Sequence, residues 1–172
     1  MTIKEGAGIV FQIGDMVVYG VHGVCKIVEL QTQRVDRKKV EYFVLEPVFQ
    51  MTSRFFVPSQ NEVALSKLRP VLSREEIEAL LVSEESHKAC WIEDENLRKL
   101  EYKNLIANGD RGGLLSMLKV LNTHKANQAE LGKKFHISDS NFMRDAEKMI
   151  YSEFSLVLDI PYEQVEAYIQ KF

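Results

Sequence analysis

Apolar residues recur along this chain with two different periods. In the first part they come as short runs rich in Val, Ile, Phe and Tyr: Met16 to Tyr19, Val24 to Leu30, Val40 to Leu45, Arg54 to Val57 and Leu68 to Leu72. Runs of this length with β-branched and aromatic side chains predict strands. Gly14-Asp15 and Gly20 to Gly23 supply tight turns, and Asp36-Arg37-Lys38-Lys39 forms a polar hairpin tip, so neighbouring strands should be antiparallel. Pro58 and Pro70 have no amide hydrogen for a ladder bond, which places them at strand ends or on an edge strand. Short strands packed this closely along the chain predict a small twisted barrel.

Beyond residue 72 the period becomes helical. Ser73-Arg74-Glu75-Glu76 has the form of a capping box and is followed by Ile77, Leu80 and Leu81 on one face. Asn108-Gly109-Asp110 reads as a helix stop and a new start, since glycine tolerates the left-handed end and aspartate caps the next helix. Leu114, Met117, Leu118 and Leu121 line a helix expected to end near His124. Ser138 is expected to cap another, with Phe142, Ala146, Met149, Ile150 and Val157 as its buried face. Pro161 suits the first turn of a last helix carrying Val165, Tyr168, Ile169 and Phe172. From Trp91 to Ala107 the pattern is less regular: Trp91, Tyr102, Leu105 and Ile106 share a face while Leu97 and Leu100 point the other way. Either that helix lies between neighbours or it begins after an interruption.

A length of 172 residues allows one large core or two small ones. With 45% hydrophobic and 27% charged residues, the composition is that of an ordinary globular protein. The start of the chain lacks the apolar run of a signal peptide and no window is long enough to cross a bilayer, so a cytoplasmic protein without membrane contact is expected. Cys25 and Cys90 lie far apart and read as free thiols. A net charge of −3 does not announce a nucleic-acid binder. Its distribution is more informative. Residues 97–136 hold eight Lys or Arg against three Asp or Glu, between the acidic segments 74–96, with two against eight, and 137–172, with three against seven.

A search for catalytic motifs finds none: there is no phosphate-binding glycine loop, CxxC, HExxH or GxSxG, and His22, His87, His124 and His136 are scattered without metal-ligand spacing. The glutamates after residue 74 read as a solvated helix start matched to the helix dipole. No enzyme, cofactor or metal is expected. Trp91, the single tryptophan, lies between the acidic and basic stretches and has two readings. It is a core aromatic, or it is a wedge that inserts at a base step while Arg98, Lys99 and Lys103 neutralise phosphates. Lys119 and Lys125, with Arg111, Lys133 and Lys134, extend the basic band and suit weak phosphate contact without base readout.

Phe11-Gln12-Ile13-Gly14-Asp15-Met16-Val17-Val18-Tyr19, followed by Val21-His22-Gly23-Val24, resembles the opening of the CarD/CdnL family of transcription regulators. The likeness continues through Glu41 to Leu45, Phe56-Val57-Pro58, Asn61 and Leu68-Arg69, and in the second half through Trp91, Ile106 to Asp110, Ala146-Glu147-Lys148 and Glu153. It implies an α+β protein of two domains: residues 1–72 as a small Tudor-like antiparallel β-barrel that binds the β subunit of RNA polymerase, and residues 73–172 as an all-α bundle of about five helices that contacts promoter DNA near the upstream edge of the bubble. The implied activity is to stabilise or modulate the open complex, with Trp91 at the position of the family's wedge and Arg98, Lys99, Lys103, Lys119 and Lys125 on phosphates. An exposed strand edge can pair with a partner strand, and Arg34, Arg54 and Phe56 are the candidate polymerase contacts, the last apolar where the family often has a basic or small residue. A monomer is expected. The rival reading is an adaptor on the polymerase that makes no DNA contact, which the net acidity of the second half favours.

Overall fold

The computed structural model describes residues 11–49 and 53–172, and the chain divides after Val71 into two units. The first contains β1 (Met16–Tyr19), β2 (Val24–Val35), β3 (Lys38–Pro47), β4 (Phe55–Pro58), a one-turn helix α1 (Glu62–Leu65) and β5 (Leu68–Pro70). They form one antiparallel sheet in the order β4-β3-β2-β1-β5. The β2–β3 hairpin turns on Asp36 and Arg37, both with positive φ (48° and 67°), as a two-residue turn matched to strand twist requires. The register shifts between Ile27 and Glu29, a bulge that bends β2. The bent sheet wraps a core of Phe11, Val17, Cys25, Ile27, Phe43, Leu45 and Val57, which Leu65 and Leu68 close.

Barrel closure is where the structure departs from expectation. Among the described residues β4 and β5 make no ladder with each other, so both remain edges of an open sheet. Pro58 and Pro70 are the last residues of these two edge strands, where a missing donor costs nothing.

The second unit is helical. The chain runs through α2 (Arg74–Val82), a 3-10 turn (Glu84–His87), an extended stretch, then α3 (Glu95–Asn108), α4 (Arg111–Glu130), α5 (Ile137–Leu158) and α6 (Val165–Ile169). The capping box at Ser73 and Glu76 forms in both directions, Gly109 ends α3 in the left-handed conformation, and Asp110 caps α4. The core joins Ile77 and Leu81 to Leu114, Leu118 and Leu121 of α4 and to Met143, Ala146, Ile150 and Phe154 of α5.

Three boundaries differ from the sequence reading. The α4 helix passes His124 and continues to Glu130, because Lys125 to Glu130 contains no breaker and Gly132, with positive φ, is the first residue suited to a stop. His136, not Ser138, caps α5, its Nδ1 accepting from the Ser138 amide at 3.3 Å. Pro161 precedes a short 3-10 turn (Tyr162–Gln164) that leads into α6. The irregular stretch resolves as an interruption: α3 begins only at Glu95, with Leu97 and Leu100 exposed and Tyr102 buried. Among the described residues no helix is long and apolar enough to cross a membrane.

Packing of the 3-10 turn against the start of α4 depends on Gly112. A Cβ there would lie 2.7 Å from the Glu85 Cβ, an atom fixed to the backbone. Helix propensity alone favours Ala over Gly by about 1 kcal/mol. Here overpacking outweighs it, and Gly112→Ala is expected to destabilise the protein by about 1–3 kcal/mol. A lower urea midpoint is the expected result; a midpoint raised above wild type contradicts it.

Candidate functional site

Residues 88–94 connect the 3-10 turn to α3 without helical hydrogen bonds of their own, so their conformation must come from neighbours. The Ala89 amide donates to the Ser116 hydroxyl of α4 at 2.6 Å. At the other end Asp94 caps α3 by accepting from the Leu97 amide at 2.7 Å. Between these anchors Arg98, one turn into α3, reaches back: its Nη1 donates to the carbonyls of Ile92 (2.7 Å) and Glu93 (3.3 Å). Its Nε and Nη2 donate to the two carboxylate oxygens of Asp139 on α5, at 3.1 and 3.2 Å. Arg98 is 5% exposed and Asp139 1%, so this is a buried, bidentate ion pair.

The same guanidinium lies over the Trp91 indole, 4.3 Å from its centroid. The His124 imidazole stacks on the indole at 3.5 Å with an interplanar angle of 10°. Two planar groups this close to one ring cannot share a face. Trp91 is therefore sandwiched between Arg98 and His124, half-buried, with only its edge left to meet a ligand. One turn beyond Arg98, Tyr102 is buried edge-on against Phe142 of α5, and burial, reinforced by the Asp139 carboxylate, pushes its hydroxyl up to about 12.

This arrangement corrects one expected role. Arg98 does not face solvent and cannot neutralise a phosphate while it holds Asp139 and two carbonyls. The other cations remain accessible in different degrees. Lys99 is held by Glu95 one turn before it at 2.5 Å, and that ammonium keeps the Glu95 carboxyl below the usual range. Lys103 is exposed on the next turn. Lys119 lies half-buried on α4 and donates to Nε2 of His87 at 2.7 Å; burial lowers its ammonium from the ordinary lysine value. Lys125 is exposed on α4 and opposes, by its charge, the upward shift that burial imposes on the Glu147 carboxyl. His124 and His87, which no motif or spacing singled out, supply the second stacking face and the Lys119 partner.

In the first unit, Phe56 projects from edge strand β4 at 45% exposure, with Tyr42 of β3 edge-on against it at 6.5 Å. Arg54, just before β4, pairs with Glu46 of β3 at 2.7 Å. These side chains cluster along one edge. Arg34 does not join them: it lies opposite Lys39 near the hairpin tip. Lys39 and Glu46 are separated along β3 by roughly 23 Å at the rise of an extended strand. His22 is a packing residue, its ring 4.0 Å from that of Phe55.

Comparison with curated proteins gives no match for this chain. Comparison with protein families matches residues 11–71 to the family described as the CarD-like/TRCF RID domain. The matched residues span every strand of the sheet and the one-turn helix. This domain is an RNA polymerase β-interacting domain. The strand-rich unit, residues 11–71, thus matches a family of polymerase-binding domains, and the match does not extend into the helical unit.

Proposed function

We propose that this chain is a transcription regulator that docks on the RNA polymerase β subunit through the β4 edge of its first unit and stabilises or modulates the promoter open complex by sequence-nonspecific DNA contact from its helical unit. The observation that carries the docking half is the family match over residues 11–71 together with an exposed edge strand bearing Phe56. An unpaired edge offers backbone donors and acceptors to a partner strand, while Phe56, Tyr42 and Arg54 supply side chains that fix the register. A Tudor-like curvature of the sheet and a monomeric state belong to the same reading.

The DNA half rests on Trp91. A side chain braced on both faces is a rigid edge, suited to propping a distorted duplex and unsuited to intercalating flat between bases. Lys103, Lys119 and Lys125 supply phosphate contacts without base readout, and Lys99 does so at the expense of its bond to Glu95. Few cations and a net acidic unit mean weak, salt-sensitive contact that depends on the polymerase holding the protein near DNA.

Three outcomes test this function. Phe56→Asp is expected to weaken binding to an isolated β fragment at least tenfold with an unchanged melting temperature, since the side chain is exposed; unchanged affinity removes β4 as the docking edge. Trp91→Ala is expected to shorten open-complex lifetime several-fold at unaltered β affinity, and an unaltered lifetime leaves the adaptor without DNA contact as the correct reading. Asp139→Asn strands the Arg98 charge and is expected to cost about 3 kcal/mol in urea unfolding. It is also expected to shorten the lifetime although Asp139 is itself inaccessible; full stability of this variant removes the clamp.

A further inference from the structure

With both faces of Trp91 covered, the indole edge opens on a cleft of about 340 Å³ beside α4, at the small end of ligand-pocket volumes. Ala89 and Val120 give the cleft an apolar lining. Lys119, Thr123 and Asn127 line it at successive turns of α4, so their side chains share one helix face. His87 reaches the same space beside Lys119. A second cleft shares His87, Lys119 and Thr123 but is also lined by the Glu166 carboxylate. The first has no carboxylate among its described lining residues, so its field is the one that suits an anion. A half-buried ammonium whose charged form is already disfavoured by burial gains most from an anion placed beside it.

An apolar surface, an amide with one donor and one acceptor group, and a cation within one helix face are the complement of a planar heteroaromatic base joined to a phosphate. We propose that this cleft receives a single unpaired nucleotide of a DNA strand. The base lies against Ala89, Val120 and the indole edge, Asn127 meets its polar rim, and the Lys119 ammonium takes the phosphate. Trp91 then serves as one wall of a pocket as well as a prop. Arg98 and His124 are positioning residues that keep this wall upright. The inference rests on the reading that Trp91 stands at the edge of a melted duplex, where unpaired bases begin. It adds an asymmetry that a wedge lacks, since single strands are preferred over duplex.

The sole tryptophan makes the test direct. The full chain is titrated with a short oligothymidylate, with a duplex of equal nucleotide content and with inorganic phosphate, following Trp91 emission. The single strand is expected to shift emission saturably and to bind at least tenfold more tightly than duplex, with no matching response to phosphate. Thr123 is exposed, so Thr123→Glu tests the cleft without disturbing the core: it should weaken the strand at least tenfold and shorten open-complex lifetime, while Thr123→Gln stays near wild type. Equal responses to strand and duplex overturn the proposal, as does a phosphate response of the same size. So does a wild-type lifetime for Thr123→Glu in a system where Trp91→Ala shortens it. If Trp91→Ala leaves the lifetime unchanged while the strand still binds selectively, the promoter reading fails and the nucleotide cleft stands.

Discussion

The helical unit depends on what has to be done with one buried positive charge. Removing a guanidinium from water costs several kcal/mol unless partners replace its hydration, and Arg98 is nearly inaccessible. Its partners come from two places in the chain: Asp139 from α5, and the Ile92 and Glu93 carbonyls together with the Trp91 face from the extended stretch. None of these can move far without stranding the charge. The planar fork of arginine serves carboxylate, carbonyls and ring face at once, and a lysine ammonium has no geometry that does so. The conformation of residues 91–93, which have no regular structure, is therefore dictated from within α3.

A second arginine repeats the device. Arg111 donates through Nε and Nη2 to the two oxygens of Glu153, each at 2.8 Å, and the Leu72 amide donates to Glu153 Oε1 at 2.8 Å. The first residue of the helical unit, α4 and α5 are joined by a carboxylate that is 1% exposed. The two pairs change the meaning of the basic band. Two of the eight cations between residues 97 and 136 are spent on internal carboxylates, and a third, Lys99, is tied to Glu95. What remains for phosphates is a handful of lysines, too few for tight binding to DNA in free solution. A contact this weak gains effect through tethering, because a linked module acts at an effective concentration that free diffusion does not reach.

The change of period near residue 72, the hairpin tip, the capping box and the Gly109 stop were legible because each is a local signal with one structural answer. Barrel closure was not, since whether the edge strands β4 and β5 meet depends on how far the whole sheet curls, which no residue type announces. Arg98 was misread because a charged side chain is usually exposed, yet a signal was present. Arg98 and Tyr102 are one turn apart, so when Tyr102 faces the core, Arg98 does also, while Leu97 and Leu100 are turned outward. The mismatch that made this helix look irregular was the trace of a buried cation in an apolar stripe. The stacking by His124 had no sequence signal, because it joins residues more than thirty positions apart through tertiary packing alone.

The open sheet gives the first unit two edges that are not equivalent. Strand β5 is three residues long and ends at Pro70, and short edges with a missing donor resist further pairing. Strand β4 also ends on its proline, but it is one residue longer and carries an aromatic side chain on an exposed position. A protein without a strand partner would gain from a charge at position 56, which discourages edge-to-edge association; this chain keeps a phenylalanine there, flanked by the Arg54–Glu46 pair. Retaining an aggregation-prone edge is tolerable when a specific strand normally occupies it. The asymmetry between β4 and β5 is therefore a physical argument for the docking edge that stands apart from family likeness.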